Sequence, residues 1–253
     1  DCYHVDDFDR VRVKEDALRI IRNDLARRTR TGVVATGAMS DPYNPFEKKQ
    51  ELSRHAFELQ HAYGFGAVIA TRSDLNVRER DVRKSMGRGA QVLWKITVTT
   101  GDEALAAKLE PRAPSPSRRV GAVEKLAGAG LFTGILLMPV LPFVEDTEHN
   151  ILDVVQRAAA SGARFVYPAM GVTMRAGKRE YFLQGIDKAF PEEGLAAKYR
   201  ARFGSRYFCA SPKARELWQL FSNACREHGL LYEMRDIVSA YRAGYGSKQL
   251  SFL

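Results

Sequence analysis

An α/β fold, a parallel sheet covered by helices, follows from two features of the 253-residue sequence. Short apolar runs at 33–36, 67–71, 91–100, 132–138 and 164–168 alternate with amphipathic patterns, as expected of strands buried on both faces. The alternation stops near Thr173, and the remainder of the chain reads as mostly helical. The expected organisation is a barrel-like body over 1–175 and a helical C-terminal cap over 176–253, within one domain.

Taken in order, residues 14–28 (KEDALRIIRNDLARR) place Leu18, Ile20, Ile21 and Leu25 at helical spacing between charges. The strand 33–36 leads into TGAMSDPYNPFE (36–47), a turn that Asp41-Pro42 and Asn44-Pro45 stiffen by steering the preceding residues out of α geometry. A helix over 53–63, the strand 67–71 and a charged helix over 78–86 come next. Residues 91–100 (QVLWKITVTT), rich in β-branched and aromatic side chains, form a further strand. Helices at 116–129 and 147–160 bracket the apolar strand 132–138, and 164–168 closes the series. The cap is read as helices over 178–190, 194–203 and 212–228, with a short strand near 230–234.

The groups of a parallel barrel that meet ligands lie at the C-terminal ends of its strands. Here those ends supply Ser40 and Asp41, Arg72 and Ser73, Thr97 and Thr99, then 138–142 and 169–173. The ring is rich in hydroxyls, with one guanidinium and few proton-transfer groups; neither a paired-carboxylate set nor a Ser-His-Asp set is evident. The five histidines are scattered, and His55 and His61 share a helix at a spacing wrong for joint metal ligation. No apolar run reaches the length of a membrane span. Three dispersed cysteines, Cys2, Cys209 and Cys225, indicate a reducing compartment, hence a cytoplasmic protein, rather than a disulfide framework. The net charge of +9 is compatible with nucleic acid or another polyanion.

With these strand ends located, the chain resembles the radical S-adenosylmethionine proteins related to spore photoproduct lyase, often called DNA repair photolyase-like. The resemblance rests on DCYHVDDF, TGAMSDPYNPFE, TRSDLNVRERDV, KLEPRAPSPSRR, LLMPVLPFVEDTEHNI, and REYF through RYFCASPKA, in that order. It implies a partial (β/α)6 TIM-type barrel that binds S-adenosylmethionine and a four-iron four-sulfur (4Fe-4S) cluster. It also implies an electron donor such as flavodoxin or ferredoxin, and hydrogen abstraction by a 5′-deoxyadenosyl radical. The cluster is held in relatives by a C-x3-C-x2-C loop. The sequence does not contain that loop, so its ligands are expected upstream of Asp1, and the chain alone is expected to be inactive.

Carried over by position, Ser40 and Asp41 stand where the family binds the methionine amino group. Arg72 stands where the lyase has a lysine facing the carboxylate, a contact that a guanidinium can make bidentately. Thr97 matches a cofactor-touching serine, Thr99 follows on the same strand end, and Met138 would line the adenine side. Ala38 replaces the lyase's hydrogen-donating cysteine, so true spore photoproduct lyase activity is not expected; Cys209 is the remaining candidate donor. Arg112 stands where relatives have glycine. The terminal KQLSFL resembles, with its last two residues exchanged, the QLSLF peptide that docks on the bacterial sliding clamp, through Gln249, Leu250, Phe252 and Leu253. The competing expectation is a non-catalytic nucleic-acid or clamp-associated protein on a cluster-free barrel.

Overall fold

The computed structural model describes residues 13–37, 41–74, 92–175 and 177–242. Ala38, Ser40, the DCYHVDDF stretch, the expected helix at 78–86 and the clamp-like tail lie outside the described residues. The helix α1 (Ala17–Ala26) precedes β1 (Val33–Thr36), and α2 (Glu47–Gln50) and α3 (Leu52–Ala62) lead to β2 (Gly66–Thr71). After β3 (Val92–Thr97) come α4 (Glu103–Leu109), α5 (Pro116–Gly128), β4 (Phe132–Leu137), α6 (Glu148–Ala160) and β5 (Phe165–Pro168). These strands form one parallel sheet in the order β1-β2-β3-β4-β5. The expected α/β architecture is therefore present.

Alternate residues of each strand face two different cores. Ala67, Ile69, Trp94, Ile96, Ile135, Leu137 and Val166 pack outward against Phe57, Val123, Leu126, Ile151 and Val154 from the helices. Each large side chain fully buried in this way contributes about 1.5–3 kcal/mol. The inner face carries Leu93 and Phe165, with Phe132 stacked on Phe165 at 5.8 Å. Gly134 makes that stack possible, because a Cβ there would stand 2.4 Å from the Phe165 ring.

Two parts of the C-terminal region depart from expectation. Instead of a strand over 230–234 there is a single bridge, Leu231 to Phe165, followed by α10 (Met234–Arg242). Met234, Ile237, Val238 and Tyr241 recur at helical spacing, and α10 seats Ile237 and Tyr241 on the inner face of the sheet. A two-stranded antiparallel ribbon, β6 (Gly171–Thr173) with β7 (Phe208–Ala210), embraces α7 (Arg179–Ala189) and α8 (Leu195–Phe203). These two helices share a separate core of Leu183, Ile186, Leu195, Tyr199 and Phe203. Next in the chain, α9 (Ala214–Glu227) returns to the outer layer and buries Leu217, Phe221 and Cys225 in the main core.

Candidate functional site

Two loops at the C-terminal ends of the strands carry the polar chemistry. After β1 the chain turns through Gly37 at φ +90°, where a Cβ would stand 1.9 Å from the Ala70 carbonyl oxygen. Glycine alone fits so close an approach. The turn delivers Asp41, whose Oδ1 accepts from the Thr71 hydroxyl at 2.6 Å and the Tyr43 amide at 2.9 Å. Its Oδ2 accepts from the Arg72 amide at 2.7 Å. Both carboxylate oxygens are thus engaged in fastening this loop to the end of β2.

The Arg72 side chain reaches across to Glu110, with Nε 2.5 Å from Oε1. Glu110 also meets Arg119, Nη2 lying 2.6 Å from Oε2 in a close ion pair without hydrogen-bond alignment. Burial pushes the Glu110 carboxyl up, but Arg72 and Arg119 together outweigh it and hold the group below the ordinary carboxylate range. Arg119 is itself buried, donating to the Pro114 carbonyl at 2.7 Å and the Thr97 carbonyl at 3.2 Å.

The loop after β4 behaves differently. Glu145 is 1% exposed, and its Oε2 accepts from the Leu141 amide at 2.9 Å, closing the loop on itself. Its Oε1 is buried and has no hydrogen-bond partner. Burial drives the carboxyl up to about 7; the Thr99 hydroxyl and Leu141 amide oppose this, while Glu110 adds to it. Thr99 is near enough to favour the charged form, yet it closes no bond on Oε1. Loop and helix are tied down on every side. Asn150 Nδ2 donates to the Thr99 and Glu145 carbonyls, each at 2.9 Å, and Ser211 donates to Asp146 at 2.6 Å. The Tyr199 hydroxyl donates to the Pro142 carbonyl at 3.0 Å, and the Thr147 hydroxyl caps α6 through the Asn150 amide.

Between these strand ends and α7 lies a cavity of about 740 Å³. Arg72, Thr99, Glu110 and Glu145 contribute polar groups to its lining, and Leu141, Met174, Phe182 and Ile186 apolar ones. Lys108, Lys178 and Lys188 also line it. Of the residues named from sequence, Arg72 and Thr99 meet in this space. Asp41, Thr97 and Met138 are not among its lining residues, and Ser40 lies outside the described residues. Cys209 is buried in β7 against Tyr199 and Phe203, away from the cavity, and burial raises its thiol pKa against the pull of Arg179.

Glu110 and Glu145 are the site residues that sequence reasoning passed over. Each sits in a stretch used for the resemblance, but only the folded chain brings them together. The lining brings a guanidinium, a carboxyl with one buried unsatisfied oxygen and apolar side chains to one cavity, the kinds of group that a zwitterion carrying a nucleoside engages. The described residues do not fit an iron–sulfur cluster, since no three metal-ligating side chains converge among them.

No protein-family model matches the chain. It is 28% identical over 196 residues to an uncharacterised protein of Mycobacterium tuberculosis, covering 77% of this chain and 57% of that protein. It is 27% identical over 147 residues to an uncharacterised protein of Acidianus two-tailed virus, covering 57% of this chain and 48% of that protein. The chain therefore spans about half the length of these curated relatives. Among solved structures it resembles a spore photoproduct lyase complexed with dinucleoside spore photoproduct, with a TM-score of 0.64 and 16% identity over 90% of this chain and 71% of that one. A mutant of the same lyase with bound AdoMet and dinucleoside spore photoproduct gives a TM-score of 0.58 at 16% identity, over 85% of this chain and 66% of that one. Likeness at this level of identity speaks for architecture, and on it the chain has the fold of spore photoproduct lyase.

Proposed function

We propose that the protein is a radical S-adenosylmethionine enzyme and that the cavity beyond β2, β3 and β4 receives the sulfonium cofactor. The observation that carries this reading is the convergence of Arg72, Thr99 and the half-satisfied Glu145 carboxyl on one cavity at the C-terminal strand ends. That is where parallel barrels place their ligand groups, and a lyase of the same fold holds AdoMet. When bound, the cofactor supplies a hydrogen-abstracting adenosyl fragment. The chain's own residues bind and orient it. Arg72 exchanges or shares its Glu110 partner for the methionine carboxylate, Thr99 offers a hydroxyl, and the Leu141–Phe182–Ile186 wall keeps water from the nucleoside. Nucleic acid is the substrate class we favour, on the +9 charge and on Tyr207 and Phe208, both exposed beside Arg206. Aromatic side chains of this kind stack on bases, and a basic surface tracks phosphates.

Calorimetric titration with S-adenosylmethionine tests the assignment. The parent protein is expected to bind, and Arg72→Ala to lose about tenfold or more in affinity while its melting temperature hardly moves, because a half-exposed ion pair adds little stability. Equal affinity in parent and variant would remove the cofactor from this cavity.

A further inference from the structure

The Glu145 carboxyl shows a feature that the fold does not account for. One oxygen closes the loop on the Leu141 amide; the other is buried and unpartnered, and Glu145 is among the residues that line the cavity. A buried acceptor left without a donor is costly, and natural proteins keep such groups rarely. A donor on a bound molecule removes the cost.

We propose that Glu145 is a ligand-binding carboxyl whose Oε1 accepts hydrogen bonds from the ribose hydroxyls of the nucleoside in this cavity. The inference rests on the reading that the cavity takes an adenosyl compound. Neutral hydroxyls add no further cation beside Glu145, in a space that Arg72, Lys108, Lys178 and Lys188 already line and that the sulfonium also enters. Vicinal hydroxyls are the usual partners of an acidic side chain in nucleoside recognition. The groups that act on Glu145 are Glu110 at the end of α4, Arg72 after β2 and Thr99 after β3, with Tyr199 of α8 and Asp146 adjoining.

Binding is linked to a proton. In the empty cavity the carboxyl titrates near 7, and hydroxyl donors favour its charged form, so binding expels a proton below that pH. Affinity should rise with pH and level off once the empty site is already ionised.

The probes are S-adenosylhomocysteine and its 2′,3′-dideoxy counterpart, titrated calorimetrically into the parent protein and Glu145→Gln from about pH 6 to about pH 8. The parent should bind S-adenosylhomocysteine several-fold tighter at the upper pH, and should bind the dideoxy compound about tenfold more weakly, with no pH dependence. In Glu145→Gln the pH dependence should vanish, and most of the penalty for removing the hydroxyls with it. Binding by the parent with the same hydroxyl penalty in both proteins overturns the inference and leaves the cofactor assignment standing. No binding of either probe overturns both. Should homocysteine alone reproduce the pH dependence and its loss in Glu145→Gln, the carboxyl faces the amino group and the ribose assignment is wrong. A cooperative melting curve for the variant at about pH 4.5, with a midpoint no lower than the parent's, establishes that the variant is folded.

Discussion

The loops after β1 and β4 each offer one carboxyl group at the same rim of the sheet, and they use it in opposite ways. Asp41 has every oxygen engaged by its own chain: a hydroxyl and two backbone amides hold it, and it holds the loop. Glu145, which lines the cavity, satisfies one oxygen locally and leaves the other buried without a partner. Position at a strand end therefore does not by itself make a carboxylate a ligand group. Unfilled hydrogen-bonding capacity under burial separates a fastening residue from a receptive one.

The largest effect should come from Asp41→Ala, which removes three hydrogen bonds to a charged acceptor and frees the Thr71 hydroxyl and Arg72 amide. A loss of about 4 kcal/mol in urea unfolding is expected, with the loop after β1 detached. A loss below about 1 kcal/mol would erase the contrast between the two loops. Glu145→Gln should act with the opposite sign. Its folded pKa, about 7, lies above the ordinary value, so the group contributes stability that is complete below the unfolded pKa of about 4.5 and is lost as pH rises through about 7. The variant lacks that loss and should be more stable than the parent by about 3 kcal/mol at about pH 8, the gap closing toward about pH 4.5. A constant difference across that range would mean the carboxyl is not desolvated as described.

Glu110→Gln weakens the pairing of the buried Arg119 and releases Arg72. Destabilisation of about 2 kcal/mol is expected, because a buried cation that loses its counter-charge costs more than an exposed one, while the two backbone carbonyls on Arg119 limit the damage. Arg72→Ala stands at the end of the scale, within about 0.5 kcal/mol in stability, which sharpens its use as a binding probe.

Among the described residues, sequence periodicity located all five strands of the parallel sheet and most helices, because each strand is a compact apolar run set between polar turns and the helical faces are regular. It missed α4, although Asp102 caps that helix by accepting from the Ala104 and Leu105 amides, and ALAAKL has high helix propensity. The preceding run of β-branched residues masked the signal. The β6–β7 ribbon has strands of only three residues each, too short for alternation to register. At the site, residue type and strand-end position suggested Asp41, Arg72, Thr97 and Thr99 alike. Distinguishing them requires their partners. Thr97 gives its carbonyl to Arg119 and Asp41 gives its carboxylate to β2, and those contacts join residues tens of positions apart. Glu145 was legible only as one acid in VEDTEH; its burial and its idle oxygen are products of tertiary structure.

The hydroxyl of Tyr241 donates to the carbonyl of Ala67, 174 positions earlier. A tie spanning that much sequence has a consequence for synthesis. On the ribosome the strands emerge long before α10 does, so Leu93 and Phe165 await their cover until nearly the whole described chain has been made. A nascent chain stalled ahead of α10 would present a bare apolar trough to its neighbours, and chaperone capture during translation should be heaviest in that interval.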